Sequence, residues 1–181
     1  KITRIRTLMT YLPALKKTLY VCLVAVCAVS FDSCYSFTGA SVPPHWKSIA
    51  LPLFDDESNF GQPALREKIT SSLIGKFQQD NTLAIGDRAT ASVELKGTIT
   101  AIEADQPIAV AQGTQASRLQ LTLHASVTLY DNSLKKQAWT KSFTATGNYA
   151  PSGGFSERDL GLQQAIDKLG DDVLLETLSA W

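Results

Sequence analysis

The chain has 181 residues, with 17 basic and 17 acidic side chains and no net formal charge at pH 7. Nucleic-acid binders concentrate positive charge, so this balance gives no electrostatic argument for a nucleic-acid partner. The three cysteines are Cys22, Cys27 and Cys34, and the first two lie in an apolar stretch near the N-terminus. This pattern predicts neither a disulfide framework nor a zinc site built on cysteine.

The N-terminal region has the parts of a secretory signal peptide. Thirteen almost uninterrupted apolar residues, 19–31, follow the basic pair Lys16-Lys17 and end just before Ser33 and Cys34. A positive flank, a short apolar core and a small residue at the cut define such a peptide, whereas a transmembrane helix needs about 20 apolar residues. The cysteine at the cut resembles the lipobox of bacterial lipoproteins, which predicts acylation of Cys34. Ordinary secretion with cleavage nearby is the alternative.

Three segments follow: a lipoprotein-type signal peptide at 1–33, a lipidated tether at 34–45 and one domain at 46–181. The first 33 residues hold five of the basic residues and one of the acidic ones, so the remainder carries 12 and 16, a net charge of −4. The 148 residues from Cys34 onward are enough for one domain with a substantial core. Acylation would consume the thiol of Cys34, so burial alone must hold this domain together.

The first elements of the domain are a strand and a helix. Residues 46–54 alternate in polarity as a strand does, and Pro52 predicts that this strand lies at an edge or ends there. Pro63 suits the opening turn of the helix that follows. Its apolar residues recur every four positions, and the helix is expected to end near Asp80. The apolar stripe consists of Leu65, Ile69, Leu73 and Phe77.

A run of strands and a last helix complete the domain. After a short apolar piece at 83–85, core-facing positions from Val93 to Ala101 alternate with polar ones. Residues 119–130 keep a period of two over six successive apolar positions, and 137–149 form their partner strand. A helix with apolar spacing follows the break at 151–154.

The resulting order, β-α-β-β-β-β-α, predicts an α+β fold. We expect a mostly antiparallel sheet of four to five strands with two helices packed on one face, because that arrangement buries both sets of apolar stripes. Polar residues at every second strand position leave the other sheet face open to water or a ligand.

Residues of the types used in catalysis are sparse. His45 lies in the tether, and His124 lies on a polar strand face without a carboxylate nearby in sequence. Neither a nucleophile elbow nor a phosphate-binding glycine loop is present. The run Asp55-Asp56-Glu57 lacks the spaced oxygen ligands of a calcium loop, so a solvated loop is expected. The sequence predicts a protein that is not an enzyme and needs no metal or cofactor, which disfavours a secreted hydrolase.

Basic residues and a long loop are the remaining candidates for contacts. Arg118, Lys135, Lys136 and Lys141 are expected to cluster around the hairpin between the two long strands. Such a cluster could bind phosphates, or its lysines could discourage aggregation at a strand edge. The uncharged connection 106–116 is long for a hairpin, which makes it a candidate contact surface.

The mature N-terminus carries a family resemblance. The segment CYSFTGASVP at 34–43, the strand ending in Pro52 and Phe54, and the closing Ala180-Trp181 resemble LptE-family lipoproteins of the Bacteroidota and Chlorobi type. The resemblance implies an outer-membrane lipoprotein of lipopolysaccharide transport and assembly, anchored by lipid and facing the periplasm. Such a protein plugs and supports the LptD β-barrel, and the four basic residues would then meet lipid A phosphates as lipopolysaccharide binds.

A different class of function stays open. Small outer-membrane lipoproteins with a similar order of elements can activate a periplasmic enzyme, such as a peptidoglycan synthase, or serve an ABC-type export system. In that case the polar sheet face would dock on a soluble domain instead of a barrel. Co-purification of the partner would separate the two hypotheses.

Overall fold

The computed structural model describes residues 42–108 and 118–179, all within one compact unit, Gly39–Trp181. The predictions for the signal peptide, for Cys34 and most of the tether, for most of the 106–116 loop and for Ala180-Trp181 lie outside the described residues.

The described part contains six strands and two helices. They are β1 (Ser48–Ala50), β2 (Asp55–Asp56), α1 (Leu65–Asp80), β3 (Ala84–Ile85), β4 (Val93–Ile108), β5 (Arg118–Asp131), β6 (Lys136–Tyr149) and, after a 3-10 turn at Pro151–Gly153, α2 (Gly154–Ser179). This order confirms the predicted α+β fold. The additional strand β2 follows Pro52, which has no N–H to donate to a ladder and so separates β2 from β1.

The sheet is mostly antiparallel, as predicted, but it also contains parallel pairs, and it has six strands among the described residues rather than four to five. Its order is β3-β1-β4-β5-β6, with β2 pairing to β4. The three long strands pair antiparallel, whereas β1 pairs parallel with both β3 and β4, and β2 pairs parallel with β4. Helix α1 carries the chain back along the sheet after β1 and β2, so β3 enters in the same direction as β1.

Strand β4 has two irregularities that simple alternation did not predict. The pairing register with β5 shifts between Ile99 and Ala101 and again around Asp105, whose φ is +60°. Beyond the first shift, Ile102 and Ala104 pack against the core. The prediction that Ala101 faces the core is therefore wrong, because a bulge inserts one residue and reverses the side of those that follow.

Both helices cover the same face of the sheet, as predicted. Helix α1 ends at Asp80, where Asn81 adopts φ +58° and donates its N–H to the Phe77 carbonyl at 3.0 Å. Two ion pairs join the helices: Lys68 Nζ lies 2.9 Å from Asp159 Oδ1, and a second pair links Lys76 to Asp171. The opposite face of β4, β5 and β6 is left without a covering layer among the described residues.

Candidate functional site

The uncovered face of the three long strands, which we call the open sheet face, is rich in hydroxyl groups. Thr128 Oγ1 and Thr140 Oγ1 lie 2.7 Å apart on neighbouring strands, and His124 Nδ1 lies 3.1 Å from Thr144 Oγ1. These contacts join cross-strand neighbours into polar rows. The face comprises Lys96, Thr98, Thr122, His124, Ser126, Thr128, Thr140, Ser142, Thr144 and Thr146.

A cleft of about 540 Å³ opens at one end of the open sheet face, beside β2. Two cations at this end share one buried carboxylate: Lys96 Nζ lies 3.3 Å from Glu94 Oε2, and Arg88 Nε contacts Glu94 Oε1. Asp55 also lines the cleft but pairs with Arg66 at 3.2 Å. The side of the cleft formed by β4 therefore carries more positive than negative charge.

Asp131, at the end of β5, fixes the start of the described chain to the β5–β6 hairpin. His45 Nε2 lies 2.7 Å from Asp131 Oδ2, Trp46 Nε1 donates to the same oxygen at 2.8 Å, and the Leu134 N–H donates to Oδ1 at 2.9 Å. Burial by itself would raise the pKa of Asp131, but these three hydrogen bonds outweigh burial and hold the pKa below its ordinary value. His45, expected in a free tether, is instead part of a buried anchor point.

The structure does not bring the four predicted basic residues together. Lys135 and Lys136 lie side by side at the β5–β6 turn. Lys141 lies on the helix-facing side of β6, where its Nζ is 2.5 Å from Glu176 Oε1. Arg118 pairs in register with Ile108 at the opposite end of β5, about 40 Å from the turn for a strand of this length. The prediction that the four residues cluster around the hairpin is wrong. Strand β5 is so long that Arg118 at its start and the lysines of the turn at its end cannot lie in one patch.

At the end of the sheet where Arg118 lies, Asp105 and Tyr149 form a tight polar pair. The Tyr149 hydroxyl donates to Asp105 Oδ1 at 2.5 Å, and the Asp105 N–H donates back to that hydroxyl oxygen at 2.8 Å. Burial, and then the hydrogen bond to Asp105, raise the pKa of Tyr149 above its ordinary value of 10.0. Tyr149 therefore remains a protonated donor at neutral pH and holds Asp105 in its left-handed conformation.

Arg158, near the start of α2, lies next to this pair. Its guanidinium carbon is 4.7 Å from the centre of the Phe60 ring, and its Nη2 is 3.8 Å from Asp105 Oδ2. The Nε of Arg158 is buried and has no hydrogen-bond partner among the described residues. Because that nitrogen is buried, a ligand would have to contact the exposed part of this side chain, which is 33% exposed.

A mostly apolar cavity of about 200 Å³ adjoins Arg158, and we call the two together the arginine pocket. Leu119, Tyr149 and Pro151 form part of its lining, and Phe155, which is 89% exposed, stands at its rim. Sequence reasoning missed this pocket because Asp105, Leu119 and Arg158, which line it, are far apart along the chain. The available signal was Phe155, a large aromatic residue placed three positions before an arginine and outside the apolar stripe of α2.

The described residues contain neither a metal-binding cluster nor a membrane-spanning helix. Across 42–108 and 118–179, no group of three or more histidine, cysteine or acidic side chains is placed to hold a metal ion. Within the same residues, neither helix combines the length and the hydropathy needed to cross a membrane. The acidic run at 55–57 was predicted to be a loop, but Asp55 and Asp56 form strand β2. Their side chains are exposed, as predicted, and Asp56 accepts hydrogen bonds from the Ser58 N–H and hydroxyl.

Comparison with known proteins gives one family and a set of similar folds. A family model described as LptE, lipopolysaccharide-assembly, matches residues 46–177. The crystal structure of a Xanthomonas campestris protein superposes with a TM-score of 0.53 at 13% identity, covering 75% of this chain and 88% of that chain. A hypothetical protein from Chlamydia trachomatis superposes with a TM-score of 0.51 at 6% identity, covering 74% and 94%. These two likenesses concern the fold alone. No curated protein matches the sequence significantly.

Proposed function

The chain belongs to the LptE family of lipopolysaccharide-assembly proteins, and from this premise we propose that it is a non-catalytic scaffold of lipopolysaccharide transport at the outer membrane. The proposal has three parts: a lipid anchor, a barrel partner and a contact with lipopolysaccharide. Each part rests on a different region of the chain and has its own support.

The anchor is proposed at Cys34, after removal of a signal peptide at 1–33, with the domain facing the periplasm. The sequence of the leader supports it. Val42 packs against the core and His45 binds Asp131, so residues 42–45 of the proposed tether belong to the folded domain. Several acyl chains would be needed for stable anchoring, since a single chain binds membranes only marginally.

The partner is proposed to be the LptD β-barrel, with this protein as its plug and support. The observation that carries this part is the open sheet face. Lumens of outer-membrane barrels are polar, and a face of aligned hydroxyl groups can exchange hydrogen bonds with such a wall without burying charge. The covered face, by contrast, is occupied by α1 and α2.

Arginine substitutions on the open sheet face test the barrel contact. In a pull-down of the tagged full-length protein from gently solubilised outer membranes, the wild type should recover a large β-barrel at near equal ratio. The double variant Thr140→Arg, Ser142→Arg should recover about tenfold less or worse, because each arginine loses hydration against the wall without a prepared partner.

The matched control places the same two charges on the helical side. Ser71→Arg with Gln78→Arg alters exposed positions of α1 and should recover the barrel as the wild type does. Equal recovery by both double variants would contradict the open sheet face as the contact. Recovery of a soluble enzyme domain or an inner-membrane exporter would instead favour the enzyme-activator or export hypothesis.

Lipopolysaccharide binding is proposed at the arginine pocket. Lipid A presents phosphates next to acyl chains, and the pocket presents Arg158 next to an apolar cavity, with Arg118 at the same end of the sheet. Lys135 and Lys136 are the second proposed phosphate contact. Lys141 is the weakest of the predicted contacts, because Glu176 already neutralises it.

Neutralising Arg158 tests this part. Arg158→Gln should weaken binding of purified lipopolysaccharide by about tenfold, since a charge-assisted contact to phosphate contributes roughly 1.5–3 kcal/mol. Lys168→Gln, at an exposed site on the same helix, should leave binding within about twofold, within the scatter of surface substitutions. If charge reversal of Lys135, Lys136 and Lys141 leaves binding unchanged, the hairpin has no part in it.

A further inference from the structure

We infer that the β5–β6 hairpin tip, residues 132–136, docks on the anionic phospholipid headgroups of the leaflet that holds the lipid anchor. The inference rests on the proposed acylation of Cys34 and goes beyond the proposed function, because it fixes which end of the domain faces the bilayer. Three observations support it: the described chain begins beside the tip, the segment 34–41 is short, and the tip exposes an apolar residue and two lysines.

The tether leaves the domain beside the tip. His45 and Trp46 contact one oxygen of Asp131, and the Leu134 N–H binds the other, so one carboxylate holds the tether exit and the turn together. Asn132 braces the turn further, since its N–H donates to the Ser92 carbonyl at 2.9 Å. The tip is therefore a fixed neighbour of His45 and Trp46, close to where the described chain begins.

The length of the tether restricts the orientation of the domain. The eight residues 34–41 can span at most about 29 Å when fully extended. Strand β5 has 14 residues and is about 45 Å long, so the arginine pocket lies farther from the tether exit than the tether is long. An anchored domain thus keeps its tip within reach of the bilayer surface, while the arginine pocket can point away from it.

The tip exposes the groups that a headgroup surface binds. The leucine of the turn, Leu134, is 54% exposed, and it is followed by two exposed lysines that have no ion-pair partner among the described residues. The nearest carboxylate in sequence, Asp131, is buried and already hydrogen-bonded. Lysine beside an anionic leaflet is stabilised by the surface potential, and an apolar residue inserts at the interface. If the lysines only discouraged aggregation at the strand edge, the exposure of Leu134 beside them would have no explanation.

The carboxylates at this end of the domain belong to elements other than the tip. Glu94 is buried and paired with Arg88 and Lys96, and Glu176 of α2 pairs with Lys141. Within the tip itself, 132–136, no acidic side chain accompanies the two lysines.

Amide hydrogen exchange on the acylated lipoprotein in vesicles tests the inference. Amides of residues 133–136 should exchange about tenfold more slowly on phosphatidylglycerol vesicles than on phosphatidylcholine vesicles. The variant Lys135→Glu, Lys136→Glu should lose this difference. The charge-matched variant Arg118→Glu, Lys168→Glu, altered far from the tip, should keep it.

Each alternative outcome counts against the inference. Equal exchange on both vesicle types, or equal loss in the two charge-reversal variants, overturns tip docking. Slowing by lipopolysaccharide micelles but not by phosphatidylglycerol vesicles assigns the lysines to lipopolysaccharide instead. Mass measurement of Cys34 reports acylation separately. If Cys34 carries no lipid, the anchor proposal fails. The docking inference then holds only if the amides of residues 133–136 in the unacylated chain are still protected by phosphatidylglycerol vesicles at saturating lipid.

Discussion

Gly147→Ala is expected to lower the free energy of unfolding by about 4 kcal/mol, beyond the usual range of about 1–3 kcal/mol for overpacking. A Cβ at Gly147 would lie 1.8 Å from the Gly161 carbonyl oxygen and 2.7 Å from its carbon. Both atoms belong to the backbone of α2, so no side-chain rotation can relieve the contact. Helix α2 would have to move off β6, exposing part of the core that Leu162, Ala165 and Ile166 now fill.

Urea unfolding followed by circular dichroism measures this change, and Gly75→Ala provides the control. A Cβ at Gly75 meets nothing within 4 Å, so this substitution should stabilise the protein by about 0.5–1 kcal/mol through helix propensity alone. A loss below about 1 kcal/mol for Gly147→Ala would show that α2 and β6 are not so closely packed.

Asp131→Ala is expected to cost about 3 kcal/mol of unfolding free energy at neutral pH. The substitution removes the acceptor for Trp46 Nε1, for the Leu134 N–H and for His45, in a site where Asp131 is only 2% exposed. Buried donors that lose their acceptor each cost roughly 1–3 kcal/mol. Asp87→Ala, at an exposed carboxylate, should change stability by about 0.5 kcal/mol or less.

The pH dependence of Asp131→Asn tests the same site without a cavity. The pKa of Asp131 is lowered in the folded protein, so its ionised form contributes stability above its unfolded pKa of about 4, and this contribution disappears as pH falls through the lower folded pKa. Wild type and Asp131→Asn should therefore differ most near neutral pH and converge below about pH 4. A constant difference from pH 7 to pH 3 would contradict the ionised hydrogen-bonded state.

Residue periodicity alone predicted the elements that have a local cause. The six apolar positions of 119–130 and the four-residue spacing in 65–77 are patterns within single segments, and β5 and α1 formed where those patterns predicted. The same alternation predicted a polar face opposite the helices, open to water or a ligand. The motif that begins at Cys34 pointed to the LptE family, which the family model over residues 46–177 confirms.

Tertiary structure decided everything that depends on distant partners. The bulge after Ile99 and the parallel entry of β3 depend on how strands align, which no single segment encodes. The binding of His45 to Asp131 joins residues 86 positions apart, and the arginine pocket joins Asp105 of β4, Tyr149 of β6 and Arg158 of α2. Local sequence specifies which face of a segment is apolar. Only the assembled sheet and its packed helices specify which polar side chains meet. Those contacts depend on the strand register and on the angles at which the helices cross the sheet.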